Sequence, residues 1–176
     1  MERIHGYEIL NMTLRNKNAI VDVECFNVLF EFLGLDFSAP EYTLASSPAD
    51  RLLMFTCRNS TITNPLAYNI LAMDFELWSR CSKAVQEAHF DHFVLLLESS
   101  KFKRFNLKQR LAKFSPIRKL LFVLQTEMYS HQMAPVLVQS LTTFLRHHFS
   151  ADAAIKPVIS YLAANLHEGE NANPFE

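Results

Sequence analysis

Apolar residues recur at three- and four-residue spacing along most of the chain, the interval that puts them on one side of a helix. Val23, Phe26, Leu29, Phe30 and Leu33 make one such stripe, and Ile9 with Met12 begins a shorter one upstream. Leu107, Leu111 and Phe114 form another, followed by Leu137, Leu141, Phe144 and Leu145, and then by Ile155, Val158, Ile159, Leu162 and Leu166. Capping residues followed by proline punctuate these stripes, because proline's missing N–H is not needed in a first helical turn. Asn64-Pro65 and Ser115-Pro116 carry the full signal, while Pro135 and Ser150 each carry half of it. The pattern predicts helices near 5–16, 20–33, 65–73, 83–99, 104–114, 116–128, 135–149 and 151–167, with Pro157 kinking or dividing the last. Residues 37–62 read less clearly: "FSAPEYTLASSP" resembles a loop, and "ADRLLMFTC" leans towards a helix.

Within "TNPLAYNILAMDFELWSRC", Asn64 is expected to cap a helix that turns Leu66, Ile70 and Leu71 to the core. Asp74 then caps one further turn delivering Leu77 and the sole tryptophan, Trp78, inward. Ser82 opens the long helix that carries Phe90, Phe93, Val94 and Leu97. Trp78, Phe90, Phe93 and Leu97 are the expected core residues, with Trp78 as a wedge between packed helices. Short links between helices that are apolar on more than one side suit stacked helix pairs, each layer covering its neighbour. The fold expected is therefore all-α, an armadillo/HEAT-like α-α superhelix, as a single domain over 1–168 with a flexible polar tail over 169–176.

Composition supports this outline. The 176 residues include 49% hydrophobic and 20% charged positions, enough for a core without disulfide staples. Three glycines (Gly6, Gly34, Gly169) are too few for a glycine-rich barrel or a phosphate-cradling loop. The longest apolar runs, "FVLLL" and "LLFVL", fall well short of the ~20 residues that span a bilayer. No secretory signal is read at the N-terminus. Cys25, Cys57 and Cys81 lack paired spacing and read as reduced thiols of a cytoplasmic protein.

Charge changes the picture more. The net charge of −1 conceals seven Lys or Arg against thirteen Asp or Glu in 1–100, and ten against five in 101–176. Lys101, Lys103, Arg104, Lys108, Arg110, Lys113, Arg118 and Lys119 occur within nineteen residues that contain no acid. On a helix over 104–114, Arg104, Lys108, Arg110 and Lys113 would spread over the outer side. This stretch is either a solvated face balancing the acidic half, or a docking site for acidic protein segments or anionic headgroups. Phe102 and Phe105 are interleaved with the cations as a base-stacking platform requires, so a helical-repeat nucleic-acid binder is the alternative, although the overall charge is unlike such a protein.

Catalytic and metal chemistry is weakly signalled. His89 and His92, with Asp91 between and Cys81 upstream, lack the second ligand pair that a metal site needs. His147-His148 suit the partial negative charge of a helix C-terminus. Ser46-Ser47 and Ser99-Ser100 lack the glycine-flanked elbow of a nucleophilic serine, and Asp74 with Glu76 is an ordinary turn pair. Neither enzymatic activity nor a cofactor is expected.

"HGYEILNMTLRNK" at 5–17, "NPLAYNILAMDFELW" at 64–78, "FNLKQRLAKFSPIRKLLFVLQTE" at 105–127 and "IKPVISYLAANLHE" at 155–168 together resemble the armadillo-like helical region of BEACH-domain proteins. The resemblance implies a non-catalytic segment of a large cytoplasmic scaffold, peripheral on endomembranes, that acts in vesicle traffic, lysosome biology and autophagy. It transfers no catalytic residues. From the basic stretch the expected partners are other proteins or neighbouring domains of the same chain, then anionic membrane, with nucleic acid not expected; stacked repeats add dimerisation through exposed solenoid ends as a further expectation.

Overall fold

The computed structural model describes residues 5–35, 59–147 and 151–170; the side chains of 151–154 and 166–170 are outside that description, as are the expected helix within 37–58, Cys57, His148 and Ser150. Every regular element among the described residues is helical. The helices are α1 (Gly6–Leu14), α2 (Val23–Phe32), α3 (Pro65–Leu71), α4 (Phe75–Ser79), α5 (Lys83–Glu98), α6 (Lys103–Phe105), α7 (Pro116–Gln125), α8 (Ala134–His147) and α9 (Ala151–Glu170). A π turn (Asn106–Arg110) and a 3-10 turn (Leu111–Phe114) follow α6, and a second 3-10 turn (His131–Met133) leads into α8. No helix among the described residues is long and apolar enough to cross a membrane.

Local chemistry explains several starts. The Asn64 side chain accepts the Ala67 N–H at 3.1 Å with Pro65 in the first turn, and Asp22 accepts Cys25 N–H at 2.9 Å. Asp74 accepts Leu77 N–H at 3.3 Å, which starts the single turn α4. Ser115 departs from expectation: it makes no side-chain cap and sits at φ 50°, ψ 53°, so Pro116 is entered through a left-handed corner. Helix α2 ends in a Schellman arrangement, with Gly34 N–H donating to Glu31 O and Leu35 N–H to Phe30 O, both at 2.9 Å. Gly34 has φ +97°, and a Cβ there would lie 2.1 Å from the Thr61 carbonyl oxygen. Only glycine fits.

Helix α1 lies on α3, α9 on α7, α2 on α5, and α5 on α8 in the most extensive of these contacts; α7 also packs closely on α8, and Lys119 of α7 donates to Asn69 of α3. Among these helices runs an aromatic centre. Trp78, Phe90, Phe93 and Leu97 are fully enclosed, with Phe26, Phe30, Tyr68 and Phe144. Trp78 meets Phe26 and Phe30 edge-on at 5.3 and 5.4 Å, stacks on His89 at 5.0 Å, and donates its indole N–H to Leu71 O at 2.9 Å. Trp78 of α4 thus contacts α2, α3 and α5.

The outer helices depart from their expected stripes. On α1, Ile9 and Met12 are exposed, while Tyr7 and Asn11 are buried; Asn11 is admitted because it donates to Ile70 O at 2.7 Å and Asp74 Oδ2 at 2.8 Å. On α3, Leu66 faces solvent, and Ala67, Tyr68 and Leu71 are the buried side. Helix α9 runs unbroken through Pro157 and on to Glu170, so residues 169 and 170 are helical rather than part of a tail. Its Ile155, Ile159 and Leu162 are exposed, whereas Val158 and Tyr161 pack on the core. Exposed apolar side chains thus occur on α1, α2 (Val28 and Phe32) and α9, and also at Ile20, Leu66, Phe122 and Val138.

Candidate interaction surface

The basic segment follows α5, whose last turn ends at Glu98. Ser100 and Asn106, both buried, fasten it to residues 60–62. Ser100 Oγ donates to Ser60 O at 2.9 Å and accepts Phe102 N–H at 3.0 Å; Asn106 donates to the same Ser60 carbonyl at 3.0 Å and accepts Ile62 N–H at 3.1 Å. This cross-link displaces the regular helix expected over 104–114. The backbone makes a short α turn, widens into the π turn that starts at Asn106, then tightens into 3-10 geometry. Widening lets two consecutive residues, Asn106 and Leu107, both lie inside. Leu111 is also buried and Phe114 is half-buried, so the expected inward set survives the change of geometry.

The eight cations do not share one face. Lys101, Lys103, Arg104, Lys108, Lys113 and Arg118 are exposed. Arg110 is half-buried, its guanidinium 5.0 Å from the centre of the Phe105 ring. Lys119 is drawn inward and donates to Asn69 Oδ1 at 2.9 Å; burial lowers its pKa below the ordinary lysine value, with the Asp74 carboxylate opposing that shift. Arg118 and Lys119 border a cavity of about 320 Å³ with Asp74, Glu76 and Phe122. At the other end, Lys103 and Arg104 meet Arg146 and His147 of α8 around a second cavity of about 320 Å³, floored by Leu97 and Leu107. Sequence reading missed this meeting. The pairs are some forty residues apart in sequence, and only the packing of α8 on α5 brings them together.

A larger groove of about 860 Å³ lies where α1 connects to α2, lined by Leu14, Ile20, Val21 and Leu77, with Arg15 and Arg80 at its edge. Its two arginines are engaged: both pair with Glu76, Arg80 at 2.6 Å, and Arg15 Nε also lies 3.3 Å from Asp74. The network ties α1 to α4.

The buried histidines are occupied by structure. His89 Nε2 lies 2.7 Å from Ala72 O, and His92 Nε2 lies 2.6 Å from the Tyr68 hydroxyl while its Nδ1 meets the His89 carbonyl. Those partners assign Nε2–H to His89 and Nδ1–H to His92, with Tyr68 donating to the latter ring. Burial pulls His89 down to about 3 against the opposing Ala72 hydrogen bond. It also holds His92 well below its usual value, with His89 adding to that effect and the His89 carbonyl opposing it. Cys25 and Cys81 are half-buried free thiols. Burial, aided by Cys25, pushes Cys81 up to about 11, where it is a poor nucleophile at neutral pH.

No family model matches the chain, and no solved structure does. One similar protein is Beige protein homolog 1 of Schizosaccharomyces pombe, 23% identical over 178 residues that cover 90% of this chain. The chain spans only 6% of that protein's length. The likeness is distant and nearly full-length for this chain, and it points to a BEACH-related segment within a much longer relative.

Proposed function

We propose that the chain is a non-catalytic scaffold segment of a BEACH-type protein, acting in vesicle traffic, lysosome biology or autophagy at the cytoplasmic face of endomembranes. The observation that carries this reading is the likeness to Beige protein homolog 1 over 90% of the chain. Its architecture is read as a short armadillo/HEAT-like superhelix. What supports that is the succession of contacts, α1 on α3 and α7 on α9, with α3 and α7 joined by the Lys119–Asn69 hydrogen bond, beside α2 on α5 and α5 on α8. The exposed apolar residues of α1, α2 and α9 suit contact with neighbouring domains or a second copy, and the cations from Lys101 to Arg118 suit acidic partners.

The nucleic-acid alternative ranks second. One face of Phe105 is already covered by Arg110, which removes that face from the platform that bases would use. Depleting the protein from cells and imaging lysosomes and autophagosomes tests the main reading. Enlarged or displaced compartments, restored by re-expression, are expected; normal compartments with normal cargo turnover would overturn it.

A further inference from the structure

The turn at 101–105 combines two features that are rarely useful apart. Phe102 and Phe105 are 46% and 42% exposed, and three-residue spacing sets them on the same side of the turn. Lys101, Lys103 and Arg104 are exposed beside them. Lys103 and Arg104 also wall the cavity of about 320 Å³ whose other side is Arg146 and His147, with Leu97 and Leu107 beneath. Among the described residues one carboxylate reaches this place: Glu98, which pairs with Arg146 at 3.0 Å. Lys103 Nζ lies 3.5 Å from the Glu98 backbone oxygen. Among the described residues, three permanent cations therefore surround the cavity against one acid.

The chemistry discriminates among partners. An acidic peptide would satisfy the cations and leave two phenyl rings in water. Single-stranded RNA would find one face of Phe105 already taken, because Arg110 lies over that ring. An anionic lipid surface uses everything present, because apolar side chains enter the headgroup boundary while adjacent cations meet lipid phosphates. We propose that the 101–105 turn docks on anionic phospholipid, with Phe102 and Phe105 entering the interface and the cavity of Lys103, Arg104 and Arg146 receiving a lipid phosphate. This deepens the reading of the basic stretch as a contact surface.

Each cation near such a surface strengthens partitioning about fivefold, so Lys101, Lys103, Arg104 and Arg146 together give attachment that is weak singly and strongly salt-sensitive. Co-sedimentation of the whole chain with phosphatidylcholine vesicles, with and without phosphatidylserine, provides the test. Pelleting is expected with the anionic vesicles alone, and it falls as salt is raised. Phe102→Ser with Phe105→Ser should lower partitioning about tenfold while keeping the salt dependence. Lys103→Glu with Arg104→Glu should lower it further and flatten that dependence; Lys113→Glu with Arg118→Glu, which spares the cavity, should do less. All six positions are exposed, so unchanged thermal melting separates a binding loss from misfolding. Absent pelleting, indifference to the phenylalanine changes, or equal losses from both charge pairs would each overturn the proposal. So would inositol hexakisphosphate or single-stranded RNA binding that depends on these residues while vesicle binding does not. A negative vesicle result leaves the trafficking reading to stand or fall on the cellular test.

Discussion

The aromatic centre and the basic segment solve opposite problems. Around Trp78 the chain buries rings in bulk, and its polar atoms take backbone partners: the indole N–H goes to Leu71 O, the His89 Nε2–H to Ala72 O and the His92 Nδ1–H to His89 O. Among the described residues around Trp78, His89 Nδ1 lacks a partner, and it is the bare lone pair of a neutral ring, a small cost compared with an orphaned N–H. Between Ser100 and Phe114 the buried Leu107 and Leu111 hold the chain together with two polar side chains that reach residues 60–62. Burial makes the first region insensitive to geometric detail and sensitive to volume and protonation. Polar fastening makes the second insensitive to its outward charges and dependent on Ser100 and Asn106.

The largest expected effect tests the first half of that contrast. Trp78→Ala removes the ring that touches Phe26, Phe30 and His89 and strands the Leu71 carbonyl. It should cost about 3–5 kcal/mol by urea denaturation. A loss below about 1 kcal/mol would mean that the layers close without it.

Protonation gives the next effect. His89 and His92 are both held neutral by burial, with folded pKa values below those of the unfolded chain. Stability from this pair is complete above the unfolded value of about 6.5 and is lost as pH falls through the window beneath it. Two histidines should remove about 2–3 kcal/mol between pH 7 and 5.5. Asp91, raised by burial and by Glu87, works in the opposite sense, and its contribution belongs nearer the carboxylate range. Urea midpoints at the two pH values check this, and a His89→Gln, His92→Gln chain should show a flatter profile. A wild-type midpoint unchanged at pH 5.5 would show that water already reaches the rings.

Legibility in the sequence follows the same division. Asn64-Pro65, the Asp74 turn and the enclosure of Trp78, Phe90, Phe93 and Leu97 could be read directly, because caps act within three residues and a large ring at helical spacing has few other places to go. The stripes of α1 and α9 misled because periodicity says which residues share a side, but not whether a neighbour exists to cover it. Ile9, Met12, Ile155, Ile159 and Leu162 share sides and are exposed, while the polar Asn11 is inside because Ile70 O and Asp74 are there to receive it. The cationic cavity was illegible for a stronger reason: nothing local in "FLRHH" announces that Arg146 and His147 will face Lys103 and Arg104.

Asn106 is where the polar half of the contrast can be broken, and its effect should be the smallest of the three. Its side chain satisfies the buried Ile62 N–H and donates a bond to Ser60 O, so Asn106→Ala leaves the Ile62 donor unpaired and takes one bond from that acceptor. The cost expected is about 2 kcal/mol, since a buried unsatisfied group costs about 1–3 kcal/mol. Stability alone would not distinguish fastening from ordinary burial, and hydrogen exchange supplies the distinction. If the amide holds the segment, Ile62 N–H and the amides of 106–114 should exchange faster together, while those of α5 facing Trp78 keep their protection. Should α5 lose protection to the same degree, the two regions open as one unit and the basic segment is held by the aromatic centre after all. Asn106→Asp sharpens the result: it keeps an acceptor for Ile62 N–H but turns a second carboxylate oxygen towards the Ser60 carbonyl. Greater loss than with alanine would identify the donated bond, and not the volume of the side chain, as what positions the cations.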